Sequence, residues 1–243
     1  MKISKLRTCW IIFLSALYTI NTTGQSVLMR FLGKTNRAWV EKTLHLWVQR
    51  ILDLVGVTCN IVNPYHVEPQ AGQPTIIMCN HSSLYDIPIS LKTFPNHPIR
   101  MLAKKELSKF PIMGKGMAAA EFPFIDRKNK RQAIKDLEAV EDLLKSGIVM
   151  WIAPEGTRSK DGQLAPFKKG AFITAIYSKA TIIPIGIRGA FDILPARSLQ
   201  FNINQTAEVR VGKPIDASAF TLKTKDELID QVFQSIKHLV EDP

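Results

Sequence analysis

Cysteine is scarce in this chain: Cys9, Cys59 and Cys79 are scattered over 243 residues. None belongs to a C-x-x-C pair, so neither a disulfide framework nor a Cys-based metal or redox centre is expected, and the default setting is a reducing compartment. A G-x-S-x-G nucleophile elbow is also missing, which leaves a covalent serine mechanism without its usual support. There is no clustered His/Cys set, no internal repeat, no low-complexity segment and no nucleic-acid-binding motif. Acidic residues are almost absent from the first 50 positions, where eight Lys and Arg face Glu41 alone.

That imbalance supplies most of a net charge of +11. The same stretch holds Trp10, Trp39 and Trp47, three of the four tryptophans. Cations mixed with indole rings and long apolar side chains suit a membrane interface carrying anionic lipid. Lys2, Lys5 and Arg7 precede the apolar run Cys9–Ile20, which resembles a secretory signal. Another apolar, basic stretch follows it, however, and 12 residues is short for a membrane span, which needs about 20. An uncleaved anchor or interfacial helix is the expectation. From Ala38 to Val57, apolar residues recur at spacings of three and four, the pattern of an amphipathic helix lying on lipid or on the core.

Beyond Pro64, short β-type runs alternate with helical patterns. Strands are expected at Thr75–Cys79, Ile99–Ala103, Ile148–Ile152, Thr181–Ile187 and Glu208–Val211, and helices at Asp86–Lys92, Arg131–Leu144, Lys169–Lys179 and Lys225–Val240. The reading is an α/β fold, a mixed β-sheet flanked by helices with an N-terminal membrane-associated helical segment. Residues 1–62 are assigned to that segment and 63–243 to the α/β domain.

Four strings can carry chemistry. In "NHSSLYD", Asn80–Asp86, a strand leads to a helix whose first turn tolerates Pro88, so Asp86 is a natural N-cap. The same aspartate, bonded to one imidazole nitrogen of His81, would fix the tautomer and leave the other nitrogen as a general base. Strand ends of this kind are where α/β sheets keep ligands. Ser82 faces away from its neighbour His81, and Cys79 falls in a buried run. "APEGTRS", Ala153–Ser159, offers a glycine turn, the donor Thr157 and the planar fork of Arg158, or simply a Pro/Gly turn. "FPFIDRKNKR", Phe122–Arg131, is a charge run with Arg127 after an apolar segment, and "IIPIGIRG", Ile182–Gly189, reads as a buried strand with a proline.

In order, "NHSSLYD", "FIDR", "PEGTRS" and "IIPIGI" resemble the four signature blocks of the glycerolipid acyltransferase family, over about Ile76 to Ile187. The resemblance implies that His81 is the general base on the acceptor hydroxyl and that Asp86 orients it. It implies that Lys104, Phe124, Arg127, Glu155, Gly156, Thr157 and Arg158 bind the phosphoglycerol head, with Lys105 an easy confusion for Lys104. Ile183 and Pro184 would lie on the acyl-donor side. The implied reaction moves a fatty acyl group from acyl-CoA or acyl carrier protein to the sn-2 hydroxyl of lysophosphatidate, without metal, cofactor or acyl-enzyme. The implied place is the cytoplasmic face of the inner membrane, among membrane lipids. Other lysolipid acceptors, a thioester hydrolase, and a basic membrane- or nucleic-acid-binding module are the alternatives, and nucleic acid is not expected as a partner.

Overall fold

A computed structural model of the chain describes residues 3–126 and 128–241. Two long helices come first, α1 (Lys5–Phe31) and α2 (Arg37–Val55). Then follow β1 (Thr58–Val62), β2 (Thr75–Cys79), α3 (Asp86–Thr93), β3 (Ile99–Met101), β4 (Ala103–Lys104), α4 (Pro111–Ala119) and β5 (Phe124–Ile125). The second half runs α5 (Lys130–Lys145), β6 (Val149–Ile152), α6 (Gly170–Tyr177), β7 (Thr181–Arg188), α7 (Ala190–Ile193), β8 (Thr206–Val211), β9 (Ile215–Asp216) and α8 (Lys225–Glu241).

Six strands line up as β1-β8-β7-β2-β6-β3, with β9 also on β7. β7 pairs antiparallel with β8 and β9, and the other neighbours in the sheet are parallel. The sheet is therefore mixed, with helices on both faces. β2 and β6 are buried along their whole length, which explains why they read as unbroken apolar runs rather than alternating ones. Alternate residues serve opposite layers. Ile77, Cys79, Trp151 and Ile183 join the core beneath α2 and α3, while Ile76, Met78, Met150 and Ile182 pack with residues of α5, α6 and α8. Pro184 interrupts nothing, because on that side of β7 pairing to β9 ends at Ile182 and pairing to β8 begins at Ile185.

Several expectations shift. The strand expected over Ile99–Ala103 divides: Ile99–Met101 joins the main sheet, whereas Ala103 and Lys104 pair with Phe124 and Ile125 in a separate ribbon. β1, on the N-terminal side of the 62/63 division, is an edge strand of the main sheet. The 12-residue apolar run lies inside a 27-residue helix. Among the described residues, no helix is long and apolar enough to cross a membrane.

α1 wears its side chains inside out. Thr22, Thr23 and Ser26 are buried, while Leu6, Trp10, Phe13, Leu17 and Phe31 are exposed. The hydroxyls of Thr23 and Ser26 are satisfied by carbonyls one turn earlier on the same helix, so small polar side chains can face the protein without unpaired groups. They also permit close approach to α4, where a β-carbon on Gly116 would fall 2.3 Å from the Thr23 carbonyl oxygen. α2 is capped by the Asn36 side chain, which accepts the Trp39 N–H, and ends in the left-handed Gly56. Its first residue, Arg37, grips both carboxylate oxygens of Glu121 at 2.8 Å, and Glu41 one turn on meets the fully buried Arg100 at 2.7 Å. The helical hairpin is thus bolted to the domain by two ion pairs as well as by packing.

Candidate active site

β2 delivers His81 to the end of the sheet, and α3 begins five residues later with Asp86. The helix starts one position earlier than an Asp86 N-cap requires: Tyr85 is the cap and makes no side-chain capping bond. The Asp86 carboxylate instead turns back onto its own loop. Its Oδ2 accepts the N–H groups of Ser82 at 2.7 Å and Ser83 at 2.8 Å, and lies 2.8 Å from His81 Nδ1. Asp86 is fully buried, and those donors satisfy Oδ2, whereas Oδ1 has no hydrogen-bond partner among the described residues. Nδ1–H is held toward the acid, which leaves Nε2 as the imidazole's free acceptor. Trp151 sets the ring plane, meeting it edge-on with centroids 5.7 Å apart.

The backbone of His81 is clasped from the turn after β6. Glu155 accepts the His81 N–H at 2.7 Å and the Ala165 N–H at 3.1 Å, and Ser159 N–H donates to the His81 carbonyl at 2.7 Å. Burial pushes the Glu155 carboxyl up to about 7, the two backbone donors opposing this and the charges of Asp86 and Asp161 adding to it. Glu155 thus points at the histidine loop rather than into the cleft. Gly156 holds a φ of +71° there, with the Lys168 side chain packed so close that any β-carbon would meet it at 3.0 Å.

A cleft of about 440 Å³ is lined by His81, Lys104, Gly156, Thr157 and Arg158, together with Trp151, Glu106 and Arg197. Lys104 faces it, whereas Lys105 is paired with Asp126 at 3.3 Å. Phe124 lies half-buried in β5, outside the lining. Arg127 lies outside the described residues. Ile183 and Pro184 are buried in β7 and do not line the cleft. Leu84, Ile87, Met101 and Met117 also border a second, apolar cavity of about 490 Å³ between α1, α2, α3 and α4. No group of three or more His, Cys, Asp and Glu residues suited to a metal occurs among the described residues.

Two candidate nucleophiles near His81 are unavailable. The Ser83 hydroxyl donates to the Leu194 carbonyl at 2.8 Å. The Cys79 thiol is fully buried, and desolvation pushes it well above its ordinary value, as the core reading expects. Sequence reading missed Arg197 and the Glu155 clasp. No local pattern marks a lone arginine beyond the last block, and a carboxylate that serves a distant backbone N–H leaves no spacing signal.

A basic cleft at the ends of parallel strands, with a His–Asp pair in it, is lined mostly by residues that match a family model: residues 60–188 correspond to "Acyltransferase". The chain belongs to the acyltransferase family. Among curated relatives, the human 1-acyl-sn-glycerol-3-phosphate acyltransferase alpha is 31% identical over 196 residues, covering 80% of this chain and 68% of that one. The 1-acyl-sn-glycerol-3-phosphate acyltransferase of Saccharomyces cerevisiae is 30% identical over 217 residues, covering 84% and 69%. The fold is that of the crystal structure of the 1-acyl-sn-glycerophosphate (LPA) acyltransferase, PlsC, from Thermotoga maritima, with a TM-score of 0.80, 24% identity and coverage of 98% of this chain and 94% of that one. The four strings that resemble the family's signature blocks fall at the ends of β2, β5 and β6 and in the body of β7. Three of these strands belong to one sheet and the fourth to the β4–β5 ribbon beside it.

Proposed function

We propose that this acyltransferase moves a fatty acyl group from the thioester of acyl-CoA or acyl carrier protein to the sn-2 hydroxyl of lysophosphatidate, giving phosphatidate. The observation that carries this reading is the convergence of a His–Asp pair, Lys104 and Arg158 on one cleft that borders an apolar cavity. The hydroxyl oxygen attacks the thioester carbonyl carbon while His81 Nε2 takes its proton. Collapse of the tetrahedral intermediate breaks the C–S bond, and the imidazolium returns the proton to the departing thiolate. Asp86 holds the tautomer and offsets the charge on the ring. A thioester has a good leaving group, so positioning and activating the alcohol suffices, and the engaged Ser83 and buried Cys79 favour direct transfer over an acyl-enzyme.

Lys104, Thr157 and Arg158, with Arg127 by resemblance, hold the phosphate of the acceptor. The apolar cavity takes an acyl chain. Trp10, Phe13 and Leu17, exposed on α1 beside Lys5 and Arg7, lay the helical hairpin into the cytoplasmic surface of an anionic membrane, where the lipid acceptor resides. Mass spectrometry of products from lysophosphatidate and palmitoyl-CoA or palmitoyl carrier protein tests the reading: phosphatidate is expected, and free fatty acid without phosphatidate would favour a hydrolase.

A further inference from the structure

We infer that Arg197, on the loop between α7 and β8, is a further phosphate-binding residue, contacting the phosphate of the acceptor from outside the four signature strings. The inference rests on the acceptor being a lysophosphatidate-like lipid. Arg197 lines the same cleft as His81, Lys104 and Arg158. Nearby cations are neutralised, Lys105 by Asp126 and Lys128 by Glu106. Among the described residues, Lys104, Arg158 and Arg197 have no acidic group within ion-pair distance. Three unneutralised cations around one cavity call for an anion.

The loop is built to hold the arginine there. Ser83, two residues after His81, donates its buried hydroxyl to the Leu194 carbonyl at 2.8 Å, so the loop is tied to the histidine's own turn. Its far end is fixed by Asn202 N–H on the Ile193 carbonyl at 2.9 Å and by Phe201 packed edge-on against Tyr85. Arg197 itself has a φ of +62°, and of the non-glycine residues so held among those described it alone lines the cleft. Bulky L-residues seldom take that conformation, and such outliers gather at ligand sites.

The acceptor's phosphate fits better than the donor's. In lysophosphatidate only two carbons and one oxygen separate the sn-2 oxygen from phosphorus, so a cation sharing the cleft with the base is within reach of it. The first phosphate of a CoA or carrier thioester lies beyond the whole pantetheine arm. The same loop sends Leu199 and Phe201 to the apolar cavity, as a single lipid with a chain and a phosphate requires.

The test compares wild type with Arg197→Ala, Arg197→Lys and Arg197→Gly, the glycine variant relieving the backbone while removing the charge. Lysophosphatidate affinity is measured by direct titration in detergent and as KM at saturating donor, then donor KM at saturating acceptor. Loss of one guanidinium–phosphate contact predicts about a tenfold rise in KM and Kd for lysophosphatidate in the alanine and glycine variants, a smaller rise with lysine, an unchanged donor KM in all three, and an unchanged melting temperature in the alanine and lysine variants. Turnover of a 1-acylglycerol lacking phosphate should not change. Unaltered lysophosphatidate affinity, or a rise confined to donor KM, would overturn the assignment. A wild-type protein that neither binds nor turns over lysophosphatidate would overturn the functional reading together with it.

Discussion

The Glu155 carboxylate, on the turn after β6, accepts the backbone N–H of His81, at the end of β2, at 2.7 Å. Two loops separated by more than 70 residues are thereby one unit, and His81, the proposed base, is held by its backbone as well as by its ring. Glu155→Gln keeps one acceptor oxygen but turns an amide toward the Ala165 N–H. The expected result is a fall in kcat of about tenfold to a hundredfold, as for a small displacement of a reacting group, with the KM for acceptor little changed. Steady-state kinetics at saturating donor checks this.

The same carboxylate makes stability depend on pH. Burial raises its pKa from 4.5 to about 7, so the folded chain holds the proton more tightly than the unfolded one. Its contribution is full below pH 4.5 and is lost as pH rises through about 7, by at most about 3 kcal/mol. Melting temperatures measured across pH 4.5 to 8 should show this decline in wild type, and Glu155→Gln should lack that part of it.

Gly116 sits where α4 crosses α1. On an isolated helix, Gly→Ala stabilises by about 1 kcal/mol. Here the new β-carbon would meet the Thr23 carbonyl oxygen at 2.3 Å, so Gly116→Ala should destabilise by about 1–3 kcal/mol. Denaturant unfolding gives the sign directly.

Trp10 and Phe13 stack on one another and are each 57% exposed. Replacing both with alanine should weaken co-sedimentation with vesicles containing anionic phospholipid by about tenfold, without altering the melting temperature. Binding equal to wild type would remove α1 from the membrane role.

Much of this molecule was legible from residues alone. β2, β6 and β7 announce themselves as apolar runs because both faces are covered, and α5 and α8 because each has one wet face. β1 was not readable, since it is a largely exposed edge strand of mixed residues. α4 hid behind Gly114 and Gly116, poor helix formers kept for close approach. The His81–Asp86 pair could be found from spacing, but the direction of the carboxylate could not. Its donors precede the helix rather than belong to it. Glu155 bonds to the His81 backbone and Arg197 shares its cleft, and only tertiary structure brings these residues together.

Thiol release from palmitoyl-CoA or a palmitoyl carrier protein, with and without lysophosphatidate, by wild type and His81→Ala, tests the central claim most directly. Release that requires lysophosphatidate and falls by about 10²–10⁴ in the variant, at an unchanged melting temperature, is the predicted result. Acceptor-dependent release that proceeds equally well without the His81 imidazole would contradict it.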